Sequence, residues 1–263
     1  MKAYRIISIF IRHIYLYKRS LPRLMEVFYW PFVDLLLWGF ITIYLAKYRE
    51  NLPTFVSFLV GALILWDILF RSQAGISISF LEEMWSRNLL NLFVSPLRPT
   101  EYIFSLMLVS LAKITIAATA MSLLAWLIYS FNIFLLGISL LPFIILLTIM
   151  GWAIGIITTA VILRFGQEAE VLAWGIAFLF LPVSAVFYPV SVLPTFLRSI
   201  ARYIPASHIF EGMRAVISTG VFPAKELLWA SGLNLLYIIA AFSLFYWVFR
   251  VIRKKGLLAK IGD

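Results

Sequence analysis

Six windows of this chain are apolar over roughly the 20 residues that an α-helix needs to cross a bilayer. They run from Val27 to Ala46, Phe55 to Ser77, Tyr102 to Ser130, Ile138 to Leu163, Val171 to Pro189 and Leu227 to Val251. A soluble domain carries about 25% charged residues. Here 13% of the 263 residues are charged and 63% are hydrophobic. No soluble globule of this size has enough interior to hide that much apolar surface. The expected fold is an all-α integral membrane protein with six transmembrane helices, in one domain over residues 1–263 with no internal repeat or low-complexity linker. The windows 102–130 and 138–163 exceed one bilayer thickness. Tilt, a kink at Pro142 or extension beyond the membrane would absorb the excess.

Basic residues set the orientation. Residues 1–26, 71–101, Arg164 and residues 250–263 hold most of the 22 Lys and Arg side chains. The opposite connections hold Lys47, Arg49, Arg198, Arg202, Arg214 and Lys225. Six spans return both termini to one side, and both termini are basic, so both are expected in the cytoplasm of a prokaryotic plasma membrane. The net charge of +10 is absorbed by this rule, so lipids rather than nucleic acid are the expected partner. The chain has no cysteine, which excludes disulfides and thiolate metal sites, and only two histidines, His13 and His208.

Residues 1–25 do not read as a cleavable signal, because charges interrupt every apolar run. On a helix Ala3, Ile7, Phe10, Ile14, Tyr17 and Leu21 share one face, while Arg5, Arg12, Arg19 and Arg23 share the other. Ile9 and Leu16 are exceptions on the basic side. The pattern predicts an amphipathic helix in the membrane interface, with its arginines toward anionic headgroups.

The segment "EEMWSRNLLNLFVSPLRPTE", residues 82–101, is the one compact charged insert between long apolar windows. Ser79 and Glu82 have capping-box spacing. A helix is expected from about Phe80 to Phe93, with Glu83 and Arg87 at the spacing that pairs charges, and Leu81, Trp85, Leu89 and Leu92 as an apolar stripe. Ser95-Pro96 would end it, and Thr100 would cap the next span. Read from the residues alone, this is equally an ordinary loop helix resting on the membrane surface.

The insert, extended to Tyr102, resembles the segment after the second span in ATP-binding-cassette type-2 permeases, the membrane subunits of ABC exporters. Residues 167–220, "QEAEVLAWGIAFLFLPVSAVFYPVSVLPTFLRSIARYIPASHIFEGMRAVISTG", resemble the fifth span and outer-face helices of the same family. Many drug-exporting relatives carry a glycine within the insert, where this chain reads Arg87-Asn88-Leu89. The resemblance implies a cytoplasmic coupling helix over residues 80–95 that docks on a separate nucleotide-binding subunit. Glu82, Glu83, Arg87 and Asn88 would be its polar contacts, and Trp85 and Leu89 would pack. It also implies a second permease copy, in a homodimer or heterodimer, and short outer-face helices over residues 190–222 that close the exit. Mg-ATP would sit on the partner: this sequence has no G-x-x-x-x-G-K-[ST] phosphate loop. No cofactor is expected in the chain itself.

Three charges fall at membrane depth: Asp34, Asp67 and Lys113. Such residues face a partner or a wet cavity, because an ion buried in hydrocarbon costs a few kcal/mol at least. Asp67 can pair with Arg71 one turn on, or with Lys113 at similar depth on the next span; Asp34 has no evident partner. Gly151, Gly155 and Thr159 recur at every fourth position, which permits close helix packing within the subunit or at a dimer seam. Phe187, Tyr188 and Pro189, with Pro194 and Pro205, punctuate the outer region as gate candidates, and Ser207 and Gly220 would cap and end a short helix there. His208 and Glu211 share a face but lack a third metal ligand. The aromatic cluster Phe28-Tyr29-Trp30 reads as interfacial belt.

Three function classes are open. An export permease for drug-like or lipid amphiphiles is favoured, with lipid-linked polysaccharide as the alternative cargo. A membrane-embedded enzyme would need a His, Asp or Glu cluster, and here the acids are scattered and the histidines far apart. An ion-driven transporter would need internal repeats or broken helices meeting at mid-membrane.

Overall fold

The computed structural model describes residues 1–46 and 52–254. Lys47, Arg49, Lys255 and Lys260, which count toward the orientation, lie outside the described residues. Those described form ten α-helices joined by short 3-10 turns, with no strand among them. In order they are α1 (Ala3–Lys18), α2 (Leu21–Ala46), α3 (Leu52–Trp85), α4 (Leu89–Val94), α5 (Pro99–Tyr129), α6 (Leu140–Phe165), α7 (Val171–Phe180), α8 (Thr195–Ala201), α9 (Pro205–Thr219) and α10 (Ala224–Lys254).

Among the described residues, five helical segments are long and apolar enough to cross a membrane: Leu21–Tyr44, Phe58–Trp85, Pro99–Tyr129, Ile133–Ala169 and Ala224–Lys254. The window 171–189 behaves differently from its expectation. Its helix, α7, has ten residues and covers about 15 Å, half of a bilayer core. Pro182 follows closely and denies the next turn an amide donor. Pro142 does not kink α6 either; it lies in the first turn, where a missing N–H costs nothing.

The centre of the bundle is α3, with 83% of its most apolar stretch buried, against 24% for α2 and 28% for α10. Its closest neighbour is α6. A Cβ on Gly151 would lie 2.5 Å from the Leu69 carbonyl oxygen and would strike the Ser72 side chain. One on Gly155 would lie 2.8 Å from the Gln73 carbonyl. The small-residue spacing is therefore a seam within the subunit, where the two backbones approach directly. Ser110 on α5 donates to the Ser72 carbonyl at 3.2 Å, which fixes α5 on another side of α3.

Helix α3 has 34 residues and so extends about 51 Å, well beyond the roughly 30 Å of hydrocarbon. The excess carries its last turns to one end of the bundle, called here the insert end. Ser79 is buried inside this continuous helix, so its amide neighbours are already paired and no capping box forms. Both described chain ends lie at the insert end. The Lys2 backbone amide donates to Glu101 at 2.8 Å, and Phe249 near the end of α10 packs on Phe93 of α4 with ring centroids 5.0 Å apart. The loop after α9 and the start of α10 lie at the far end.

The N-terminal helix is shorter than residues 1–25 and turned from its expected roll. It ends at Lys18, and Leu21 already opens α2. His13 and Tyr17 are buried, and Ile9 packs against the core beneath the insert. Arg5 and Arg12 turn inward to carboxylates, while Tyr4, Ile7, Ile11 and Ile14 are exposed. The exceptions to the sequence pattern, Ile9 and Leu16, thus mark the protein-facing side.

Candidate functional site

The insert is two helices rather than one. α3 stops at Trp85, Arg87 takes a left-handed conformation with φ of 54°, and Leu89 starts α4. The break arises at a conformation that L-residues enter at a cost and glycine enters freely. It falls at Arg87, between the last turn of α3 and Asn88. Arg87 is exposed and does not meet Glu83; the expected i,i+4 pair requires a helix that is no longer there.

All three insert carboxylates turn inward instead. Glu83 is 1% exposed and receives Arg12 at 2.7 Å and the Asn88 amide at 2.6 Å. Glu82 pairs with Arg23 at 3.0 Å. Glu101 accepts the amides of Lys2 at 2.8 Å and Arg98 at 3.0 Å, with Arg5 at 3.4 Å. The Glu101 carboxylate over the Arg98 amide closes the start of α5, with Pro99 at its first position; Thr100 is not the cap. So α1 and the start of α2 clamp the ends of α3 and α5 through three acids, two of which, Glu82 and Glu83, the resemblance assigned to a partner protein. The basic residues of α1 could have suggested this, since a buried carboxylate needs a paired, hydrogen-bonded partner.

The His13 ring stands 3.5 Å from Glu83 without a hydrogen bond to it. Burial pushes its pKa down to about 4, against the pull of Glu83 and with the help of the nearby Lys113, Arg12 and Arg23 charges. An unfolded histidine titrates near 6.5. Between those values the unfolded chain takes up a proton that the fold refuses, so stability is full above pH 6.5 and falls as pH drops toward 4. At pH 5 the loss from this group is about 2 kcal/mol. The thermal midpoint should fall between pH 7 and pH 5, and His13→Gln should flatten that slope; an unaltered slope in the variant would refute the assignment.

Outward among the described residues of the insert are Trp85, Ser86, Arg87, Asn91, Val94, Ser95, Pro96 and Arg98. Trp85 is 45% exposed and donates from Nε1 to Glu170 at 3.1 Å. Glu170 follows the 3-10 turn Gly166–Ala169 and precedes α7. The tip of α3 is thereby tied to a second connection at the same end.

Deeper in the bundle, Asp67 pairs with Arg71 at 2.6 Å, not with Lys113. Lys113 reaches Ser79 at 3.4 Å and lies 4.3 Å from the centre of the Tyr17 ring. Side chains lean toward the N-terminus of their own helix. Because α3 and α5 run in opposite directions, Asp67 leans to the far end and Lys113 to the insert end, and equal depth does not bring them together. Asp34, Arg71 and Lys113 nonetheless border one cavity of about 390 Å³.

At the far end, Phe187 stacks on Trp38 of α2 at 5.2 Å. Tyr188 donates to the Pro182 carbonyl at 2.7 Å, and Pro189 leads into the 3-10 turn Val190–Val192. Glu211 on α9 accepts the Val190 amide at 2.6 Å and pairs with Arg214, whose guanidinium also donates to the Ala185 carbonyl. Ala185 itself is left-handed and fully buried. His208 contacts the Arg202 carbonyl at 2.9 Å and stacks on Trp229, so it and Glu211 serve separate hydrogen bonds. Ser207 lies inside α9 and donates back to the Ile204 carbonyl at 2.8 Å; it is not the cap, whereas Gly220 ends the helix at φ 71° as expected.

A bundle of long apolar helices, with most of its ion pairs among the described residues at the insert end, is an integral membrane protein. A family model described as "ABC-2 family transporter protein" matches residues 38–249, and the chain belongs to that family. It is also 27% identical over 184 residues to a protein named ABC transporter G family member 20 from Dictyostelium discoideum. That match covers 69% of this chain and 25% of the relative, so the chain spans about a quarter of that protein's length.

Proposed function

We propose that this chain is the transmembrane subunit of an ATP-driven exporter that moves an amphiphilic drug-like or lipid substrate, with Mg-ATP hydrolysed on a partner subunit. The observation that supports this most is the exposed tip at Trp85–Arg87. It projects on a long helix beyond the hydrocarbon and is braced by Glu83–Arg12, Glu82–Arg23 and Trp85–Glu170. A force applied there would pass at once to α1, α2, α3 and α7. The coupling contacts of this reading are Trp85, Arg87 and Asn88, while Glu82 and Glu83 hold the lever to the bundle.

The topology of this reading has six crossings. Five long helices alone would leave the chain ends on opposite faces, yet α1 and the end of α10 share the insert end. Residues 171–223 then make the sixth, by α7 and the irregular chain after it. Non-helical backbone is tolerated at membrane depth where protein buries it, and Val183 to Val186 are buried. Both ends would face the cytoplasm of a prokaryotic plasma membrane, α1 would rest its Ile7 and Ile11 stripe on lipid, and a second copy would complete the pathway.

The test is the double variant Trp85→Ala with Arg87→Glu, made in the permease and reconstituted with the ATPase subunit that co-purifies with it. Exposed aromatic and arginine contacts of this kind carry about 2 kcal/mol or more in interfaces, so stimulated ATP hydrolysis should fall at least tenfold with an unchanged thermal midpoint. Full stimulation, or a permease that never co-purifies with an ATPase, would end this reading.

A further inference from the structure

The cavity of about 390 Å³ lies among α1, α2, α3, α5 and α7, within the size range of small-molecule sites. Four aromatic rings, Trp30, Phe70, Trp174 and Phe178, form much of its wall. Its charges are unevenly spread. Arg71 is engaged at 2.6 Å by Asp67 and lies within electrostatic reach of Asp34 as well. One guanidinium therefore faces two carboxylates, which leaves one negative charge at this level. Asp34 makes no hydrogen bond or ion pair with the described residues, and it is exposed on α2 beside the cavity.

Lys113 is the other lining cation. Its ammonium is turned to Ser79 and to the face of Tyr17. Ser79 lies eight residues beyond Arg71 on α3, or about 12 Å toward the insert end. The positive charge is thus held at the mouth, and the negative excess lies deeper among aromatic faces. Ring faces attract cations and repel anions. A carboxylate at membrane depth gains most from a counter-charge that arrives with the ligand.

We propose that this cavity binds an amphiphilic organic cation, its charged centre against Asp34 and its apolar body among Trp30, Phe70, Trp174 and Phe178. This deepens the export reading by naming the substrate class, and it rests on that reading for its transport role. The site also touches the coupling machinery. Tyr17 borders the cavity and lies on α1, one turn from His13 and close to Arg12, which holds Glu83. An occupant of the cavity presses on the helix that braces the α3 tip.

Two probes of the same shape and opposite charge test the site: tetraphenylphosphonium and tetraphenylborate, titrated into the purified full-length chain in detergent while tryptophan fluorescence is followed. The phosphonium should bind the wild type. Asp34→Asn should weaken it at least tenfold, and Trp174→Leu severalfold, while neither variant weakens the borate. Asp34 is exposed and unpaired, so the variant should keep its thermal midpoint. Equal phosphonium affinity in Asp34→Asn, as for an Asp34 that is merely protonated, or tighter borate than phosphonium binding by the wild type, would overturn the proposal. The assay needs no ATPase. Loss of cation binding with intact coupling would reject this site alone, and loss of coupling with intact binding would reject the lever alone.

Discussion

Replacing Glu83 with alanine is expected to destabilise the protein by about 3 kcal/mol, the lower end of what is lost when a buried ion pair keeps only one partner. The lower end applies because the Arg12 side chain is 37% exposed and can rehydrate, whereas Glu83 is 2% exposed. Asn88 loses its acceptor at the same time. Arg12→Ala should cost as much or more, since it strands the carboxylate in the protein. The distinguishing measurement is a pair of charge swaps followed by thermal unfolding in detergent. Glu83→Arg with Arg12→Glu should recover part of the loss, and Glu83→Arg with Arg87→Glu should recover none, because Arg87 points away. Recovery in the second swap would mean that the two residues share a helix face after all.

The second large effect is at the seam between α3 and α6. Gly151→Ala places a methyl group 2.5 Å from the Leu69 carbonyl oxygen, and that oxygen belongs to a helix backbone that cannot rotate away. Overpacking costs about 1–3 kcal/mol even where side chains can adjust. Here the helices must part, so Gly151→Ala should cost about 3 kcal/mol and Gly151→Val should prevent assembly. Gly175→Ala and Gly232→Ala are the controls, since a Cβ at either meets nothing within 4 Å. They should be neutral or slightly stabilising, because alanine is the better helix former. A uniform response of all four, read by size-exclusion profile and thermal midpoint, would remove the seam from the account.

Apolar length was the most legible property of this sequence, because crossing hydrocarbon imposes one requirement on every residue of a span. The windows at α2, α3, α5, α6 and α10 follow from it. The window at α7 did not, since its residues are as apolar as a helix demands while Pro182 and the Arg214 and Glu211 contacts determine its path. The insert was expected as one helix with its charges outward; it is two helices, and Glu82 and Glu83 turn inward. Acids next to a proposed docking surface invite that assignment, whereas α1 and the start of α2 bring Arg12, Arg23 and the Lys2 amide to them. Similarly, depth arithmetic placed Asp67 level with Lys113 without the direction in which each side chain leans. The family was legible from the 82–101 and 167–220 stretches, and the match over residues 38–249 agrees with it.

The chain after α7 holds its shape differently from the helices around it. In a helix each amide is held by the same strand of backbone, so turns can fray singly. Between Leu181 and Val190 the Ala185 carbonyl and the Val190 amide are held by Arg214 and Glu211, two residues of one other helix. Those anchors shift together when α9 rolls. In the export reading proposed above, far-side release would then be an all-or-none latch rather than a gradual widening, with α9 as its handle.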